Sequence, residues 1–350
     1  MTRRTLCAIL CLVLLSNTAV RAETLVTVSA EGAKLVAPFG IDFAADGTLY
    51  FVEMVKGERL RKLDAKGNPI TLAGTGQKGF DGNDGAGIKA TFNGMHSLAV
   101  GNDGAIYLAD TFNQCIRKFN PKSGLVTLFA GTGDKGFSGD DGTPTDAKFD
   151  GIHSVAFDAK KENIYLADLG NRRVRKIDLK EKTVTTVAGN GEKGVPKDGE
   201  PAMKQPLVDP RAVAVDSKGR IYIIERSGHT LRVVDTDGTI RTVAGTGKAG
   251  KETVGGDAMK AAMNGPKHLC IDRDDSVLIA DSENHRILRY QPKTKTMTLV
   301  AGIGSKGSAG LNGNPLKAEL SQPHGVTVHP KTGELYIADS SNNRIVKIVK

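Results

Sequence analysis

Short apolar runs ending on an acid recur six times along the chain. LYFVE, IYLAD, IYLAD, IYIIE, VLIAD and LYIAD close at Glu53, Asp110, Asp168, Glu225, Asp281 and Asp339. The spacings between these acids are 57, 58, 57, 56 and 58 residues. A fixed period of that length marks a repeated unit that buries its apolar faces only by stacking on its neighbours. In the second copy, residues 96–100 are a short apolar strand and Asn102-Asp103-Gly104 is a hairpin turn. Residues 106–109 form the next strand, residues 110–114 a polar loop and residues 116–119 a third strand. Pro121-Lys122-Ser123-Gly124 makes another turn, and residues 125–130 form a fourth strand. Four antiparallel strands in each of six repeats predict an all-β fold, a six-bladed β-propeller. The first strands of the copies (SLAV, SVAF, AVAV, HLCI) are small and apolar throughout, as blades covered on both faces require.

The chain ends carry the closure. The sixth copy stops at Lys350, before a fourth strand is finished, and Thr24-Leu25-Val26-Thr27-Val28 resembles the fourth-strand segment Thr183-Val184-Thr185-Thr186-Val187. The N-terminal strand is expected to complete the last blade and remove the two open edges. Between blades, Thr143-Pro144-Thr145-Asp146-Ala147, Glu200-Pro201-Ala202-Met203-Lys204 and Asn314-Pro315-Leu316-Lys317-Ala318 place a capping-type or acidic residue before Pro, which predicts short helical turns.

Gly-x-Gly-x-x-Gly is written five times, from Gly74, Gly131, Gly189, Gly245 and Gly302. A single copy would suggest a dinucleotide turn, but that turn opens a long helix once per βαβ unit. Gly245-Thr246-Gly247-Lys248-Ala249-Gly250-Lys251 also imitates a phosphate loop, with Glu252 where a magnesium-binding Ser or Thr would stand. Five copies at the blade period predict instead a tight turn leaving the outer strand, where glycine supplies the backbone angles.

Composition narrows the setting. Arg3 and Arg4, an apolar stretch over residues 6–15 and Val20-Arg21-Ala22 form a secretion signal over residues 1–22, too short to span a membrane. Residues 23–350 are then one domain, expected in the periplasm or secreted, with no transmembrane segment in the mature chain. The formal charge of +9 falls to +6 once Arg3, Arg4 and Arg21 leave, and it is scattered. Export and scattered charge argue against nucleic acid as a partner. Cys115 and Cys270 lie in the second and fifth repeats, across a closed ring, so two free thiols are expected.

Three of the strand-ending acids have arginine five residues on, predicting the structural ion pairs Asp168–Arg173, Asp281–Arg286 and Asp339–Arg344. Asp110 and Glu225 are followed instead by Cys115 and Thr230, which leaves both as candidates for ligand binding. The position opening each inner strand holds Phe39, His96, His153, Arg211, Lys267 and His324. In a closed propeller these six gather at the mouth of the central channel, on the same face as the acid-to-arginine loops. His96, His153 and His324 could hold a metal with a position left for water. Together with Arg211 and Lys267 they could instead bind an anionic group.

The strand-to-loop pattern YIADSSNNRIVKI from Tyr336 resembles the NHL repeat family, as does the longer Ala-Gly-Thr-Gly through Gly-Asp-Asp-Gly to Pro-His-Gly form. The resemblance spans residues 24–350 and is similar to secreted bacterial NHL-repeat proteins. It implies a six-bladed propeller, while the regular repeats and the lack of a matched catalytic set point to a monomeric ligand- or protein-binding scaffold acting through the channel-mouth face, with no cofactor expected. An enzymatic branch of the family, the peptidyl-hydroxyglycine lyases, holds zinc on channel-facing histidines. That implies an alternative, a metal-dependent lyase or lactone hydrolase with zinc or calcium on His96, His153 and His324. No Ser/His/Asp set or Cys-x-x-Cys pair is present to suggest other catalysis.

Overall fold

The computed structural model describes residues 23–252 and 254–349, so the signal expected at residues 1–22 lies outside the described residues. The strands fall into six antiparallel sheets. In the second blade, Met95–Val100, Ile106–Asp110, Cys115–Asn120 and Leu125–Ala130 pair in sequence order from the axis outward. The inner strands of the six blades are Pro38–Phe43, Met95–Val100, Ile152–Phe157, Pro210–Val215, His268–Ile271 and Val326–Val328. Each packs against the inner strand on either side, and the sixth packs against the first. The ring is closed, a six-bladed β-propeller.

Closure occurs through the N-terminal strand. Thr24–Thr27 pairs antiparallel with Arg344–Val349, Thr24 opposite Val349 and Thr27 opposite Val346. Leu25 is fully buried, and its backbone bonds Gly313 and Asn312 in the turn beside it. Fully enclosed second strands, such as LYFVE and IYLAD, follow from packing on both faces. Six apolar clusters result, one at each blade-to-blade seam, including Leu60, Phe92 and Leu108 between the first two blades and Phe51, Tyr336 and Ile345 between the last and the first. Burial of these seams supplies the main stabilising term.

The inter-blade helical turns are present as single 3₁₀ turns, Pro144–Asp146, Ala202–Lys204 and Pro315–Lys317, with Gly87–Lys89 and Ala258–Lys260 in the same place in the other blades. Among the described residues no helix is long and apolar enough to cross a membrane. The glycine triplets are turns. Gly74, Gly131, Gly189, Gly245 and Gly302 have φ values of 97, 92, 88, 95 and 87°. A Cβ on any of them would collide with the carbonyl oxygen of Glu58, Gln114, Arg172, His229 or His285, one per blade. Backbone angle and close approach both demand glycine there. Cys115 and Cys270 are free thiols.

Candidate functional site at the channel mouth

The inner strand begins where the second strand ends. Met95 pairs with Asp110, Ile152 with Asp168, Pro210 with Glu225 and Pro38 with Glu53. The register shifts directly after each of these pairs, so His96, His153 and Arg211 sit on one-residue bulges and Phe39 on the corresponding irregularity. A bulge re-aims its side chain out of the ladder. Four of the six predicted mouth residues are presented this way. In the fifth and sixth blades, Lys267 and His324 stand just before the strand and donate their N–H groups to Ala280 and Ala338.

The predicted set comes together as an arc of rings and a cationic sector. Phe39 stacks on His324 with centroids 3.8 Å apart and meets His96 edge-on at 5.5 Å. His96 and His153 lie 4.4 Å apart. Phe112, which the repeat pattern did not single out, stands edge-on to both at 5.7 and 6.4 Å and is exposed. It occupies the second position after Asp110, in a loop that turns through the 3₁₀ segment Thr111–Asn113.

The imidazoles are held in one orientation. His96 Nδ1 lies 2.9 Å from the Gly94 carbonyl oxygen, His153 Nδ1 2.7 Å from that of Gly151 and His324 Nδ1 3.1 Å from that of Gln322. A carbonyl only accepts, so Nδ1 carries the proton in each ring and the free Nε2 is an acceptor. Burial, and then the charge of Arg211, push His153 down to about 3. The same two causes lower His96, and burial followed by the Lys267 charge lowers His324. All three are neutral at pH 7.

The cations behave differently from one another. Lys267 Nζ is 2.8 Å from Glu283 Oε1, so its charge is already met. Arg211 is 6 % exposed and has no hydrogen bond or ion pair among the described residues. Burial, and then the neighbouring Arg226 charge, pull it down to about 9, which keeps it cationic at neutral pH. Arg226 is half exposed, with Glu283 at 3.8 Å. Its position, the residue after the strand-ending acid, holds Thr111, Ser282 and Ser340 in the second, fifth and sixth blades. Those hydroxyls donate to the Ile152, Pro323 and Pro38 carbonyls of the next blade, just ahead of the mouth residue. Arginine at that place in the fourth blade alone was the missed signal.

The acids lie beneath this surface. All six are fully buried. Each accepts a backbone N–H from the loop entering its own blade: Val36 to Glu53, Asn93 to Asp110, Asp150 to Asp168, Val208 to Glu225, Asn264 to Asp281 and Ser321 to Asp339. Asp281 and Asp339 form the predicted pairs, with Arg286 Nε at 2.8 Å and Arg344 Nε at 2.7 Å. Asp168 does not pair with Arg173; it faces Arg175 Nη1 at 3.7 Å. Arg173 bonds the Asn171 and Asn190 carbonyls and lies 3.7 Å over the Phe137 ring. Asp110 and Glu225, expected to lack arginine, have Arg117 at 3.6 Å and Arg232 at 2.8 Å. Both are fully buried with these arginines against them. His229 and His285 are loop residues that accept the Gly265 and Gln322 N–H groups across the blade seams.

Phe39 separates His324 from His96 and His153, and among the described residues no group of three His, Cys, Asp or Glu could hold an ion. A groove of about 1130 Å³ bordered by Asp272, Arg289, Leu316 and Glu334 lies away from the mouth, between the fifth and sixth blades.

Comparison with known proteins places the fold in a family. A profile described as the teneurin NHL domain matches residues 177–254, and one described as the NHL repeat matches residues 263–290 and 320–348. The chain is 26 % identical over 288 residues to Protein SUPPRESSOR OF QUENCHING 1, chloroplastic, of Arabidopsis thaliana, covering 79 % of this chain and 26 % of that protein. It is 26 % identical over 290 residues to NHL repeat-containing protein 2 of Bos taurus, covering 75 % and 40 %. The matched region is thus less than half of either relative. Among solved structures, a Bacteroides thetaiotaomicron structural genomics protein of unknown function superposes with a TM-score of 0.69 at 17 % identity, over 94 % of this chain and 76 % of that one. An auxiliary nutrient binding protein from the same organism gives 0.67 at 14 %, over 93 % and 76 %. A streptogramin B lyase gives 0.57 at 14 %, over 94 % and 98 %. These three share the fold. With its repeat motifs, its closed ring of six blades and these matches, the chain belongs to the NHL-repeat family.

Proposed function

We propose that this propeller is an exported binding module that takes a small anionic ligand at the channel mouth. Export rests on the signal-like pattern of residues 1–22. The neighbours in fold include both a binding protein and a lyase, so architecture alone does not choose between the two activities. Arg211 chooses. Six other interior arginines, Arg61, Arg117, Arg175, Arg232, Arg286 and Arg344, each face an acid. Arg211 alone among these buried cations forms no ion pair: Asp209 acts on it only as a neighbouring charge and is itself held by Ser227 and Gly228, while Arg226 adds a second guanidinium. A buried unpaired charge costs several kcal/mol, which a carboxylate or phosphate entering the mouth would offset.

The test is calorimetric titration of the purified protein with phosphate and with acetate. Binding that disappears in Arg211→Met and survives in Lys267→Met supports the reading, because Glu283 already satisfies Lys267. Binding indifferent to Arg211→Met, or none in the unaltered protein, overturns it. The metal-dependent alternative needs His324 to leave Phe39 and join His96 and His153. Stoichiometric zinc or calcium in untagged protein, lost in His96→Ala/His153→Ala, would replace the anion reading with that one.

A further inference from the structure

The same mouth carries information about the rest of the ligand, and the inference here rests on the anion reading above. The rim has two unlike halves. On one side are the donors Arg211 and Arg226, with Glu283 3.8 Å from Arg226 and Asp209 near Arg211. On the other is the arc of His324, Phe39, His96 and His153, with Phe112 standing over the two adjacent histidines.

Three properties of that arc restrict what it can touch. Each Nδ1 is committed to a backbone carbonyl, so the Nε2 atoms of His96 and His153 are lone-pair acceptors and demand a hydrogen donor from the ligand. An ammonium donor beside His96 and His153 would be repelled by the Arg211 guanidinium, whose charge already acts on both rings. The donor is a neutral O–H or N–H. The exposed Phe112 ring offers an apolar wall next to these acceptors, suited to a C–H-bearing face and not to a fully solvated one. A carboxylate, neutral hydroxyls and an apolar C–H face on one small molecule describe a hydroxylated carboxylate of the sugar-acid kind.

We infer that the mouth recognises a sugar acid, its carboxylate on Arg211 and Arg226, its hydroxyls donating to Nε2 of His96 and His153, and its C–H face against Phe112. A simple carboxylate would satisfy only the first contact and a neutral sugar only the other two.

Calorimetry of the full chain with four probes separates these contacts: D-glucuronate, D-glucose, cyclohexanecarboxylate and inorganic phosphate. Glucuronate is expected to bind at least about tenfold tighter than glucose and cyclohexanecarboxylate, the scale on which one or two satisfied hydrogen bonds act. His153→Phe keeps a flat ring and removes the acceptor. It should weaken glucuronate severalfold and leave cyclohexanecarboxylate unchanged. Equal affinity for glucuronate and cyclohexanecarboxylate overturns the sugar-acid inference and leaves the anion reading standing. Glucose binding as well as glucuronate, or no binding of glucuronate, cyclohexanecarboxylate or phosphate, removes the anion reading as well. If His153→Phe melts far below the unaltered protein, the four-probe comparison on the unaltered protein decides alone.

Discussion

Phe39 of the first blade lies face to face with His324 of the last, centroids 3.8 Å apart and ring planes 27° apart. The contact exists only because the ring closes: the two residues are separated by nearly the whole chain and brought together by the N-terminal strand that completes the sixth blade. Leu25 is the fully buried anchor of that strand, packed with Ile337, Val346 and Leu320. Leu25→Ala should destabilise the protein by about 2–5 kcal/mol, the usual cost of emptying a buried leucine site. Urea unfolding monitored by circular dichroism measures this, and a loss under about 1 kcal/mol would show that the clasp contributes little.

The acid–arginine pairs give a sharper contrast. Arg286→Met leaves Asp281 fully buried with its charge unmet and should cost about 3–5 kcal/mol. Arg173→Met, which the residue spacing alone would rank as equivalent, removes only carbonyl contacts and the Phe137 stack, and should cost no more than about 1–2 kcal/mol. Equal costs for the two substitutions would contradict the pairing.

That contrast shows what was legible and what was not. The six acids, the hairpins and the mouth positions could be read because a closed ring of equal blades fixes the phase of every copy. The arginine partner could not. Along the third strand, side chains alternate, so positions five and seven after the acid share a face and either can reach it. Arg117, Arg175 and Arg232 use the later position, and in the third blade Arg175 displaces Arg173. The bulges that present His96, His153 and Arg211 were equally hidden, since an extra residue in a ladder leaves no mark on a short apolar run. Arg226 in place of the hydroxyl residues Thr111, Ser282 and Ser340 is legible in the aligned repeats.

The glycine triplets are expected to answer to backbone geometry and not to nucleotides. Gly189→Ala would force a Cβ against the Arg172 carbonyl at φ 88° and should cost about 1–3 kcal/mol. Thermal melting of the variant checks this, and a melting temperature unchanged within a degree would mean the loop relaxes freely.

Acid should weaken the protein through its mouth histidines. Burial lowers His153 from 6.5 to about 3, so below pH 6.5 the unfolded chain takes up a proton that the folded one refuses. The stability tied to this group is present above pH 6.5 and is lost as pH falls toward about 3. Asp110, raised to about 7, and Asp168, raised to about 6, act in the opposite sense, favouring the folded state at low pH and losing that contribution as pH rises through those values. Comparing the unaltered protein with His153→Phe isolates the histidine. Between pH 6.5 and 4 the unaltered protein should lose stability relative to the variant, by at most about 1.4 kcal/mol per pH unit. Parallel unfolding midpoints across that range would show that His153 is not held neutral by burial.

The Arg211 guanidinium lies in the mouth of the channel with no ion pair of its own. Diffraction from crystals soaked in selenate, an anion with a strong anomalous signal, tests this at a single residue. The expected result is an anomalous peak within hydrogen-bond reach of Arg211 and beside Arg226. Arg211 engaged by a protein carboxylate, with no selenate at the mouth, would contradict it.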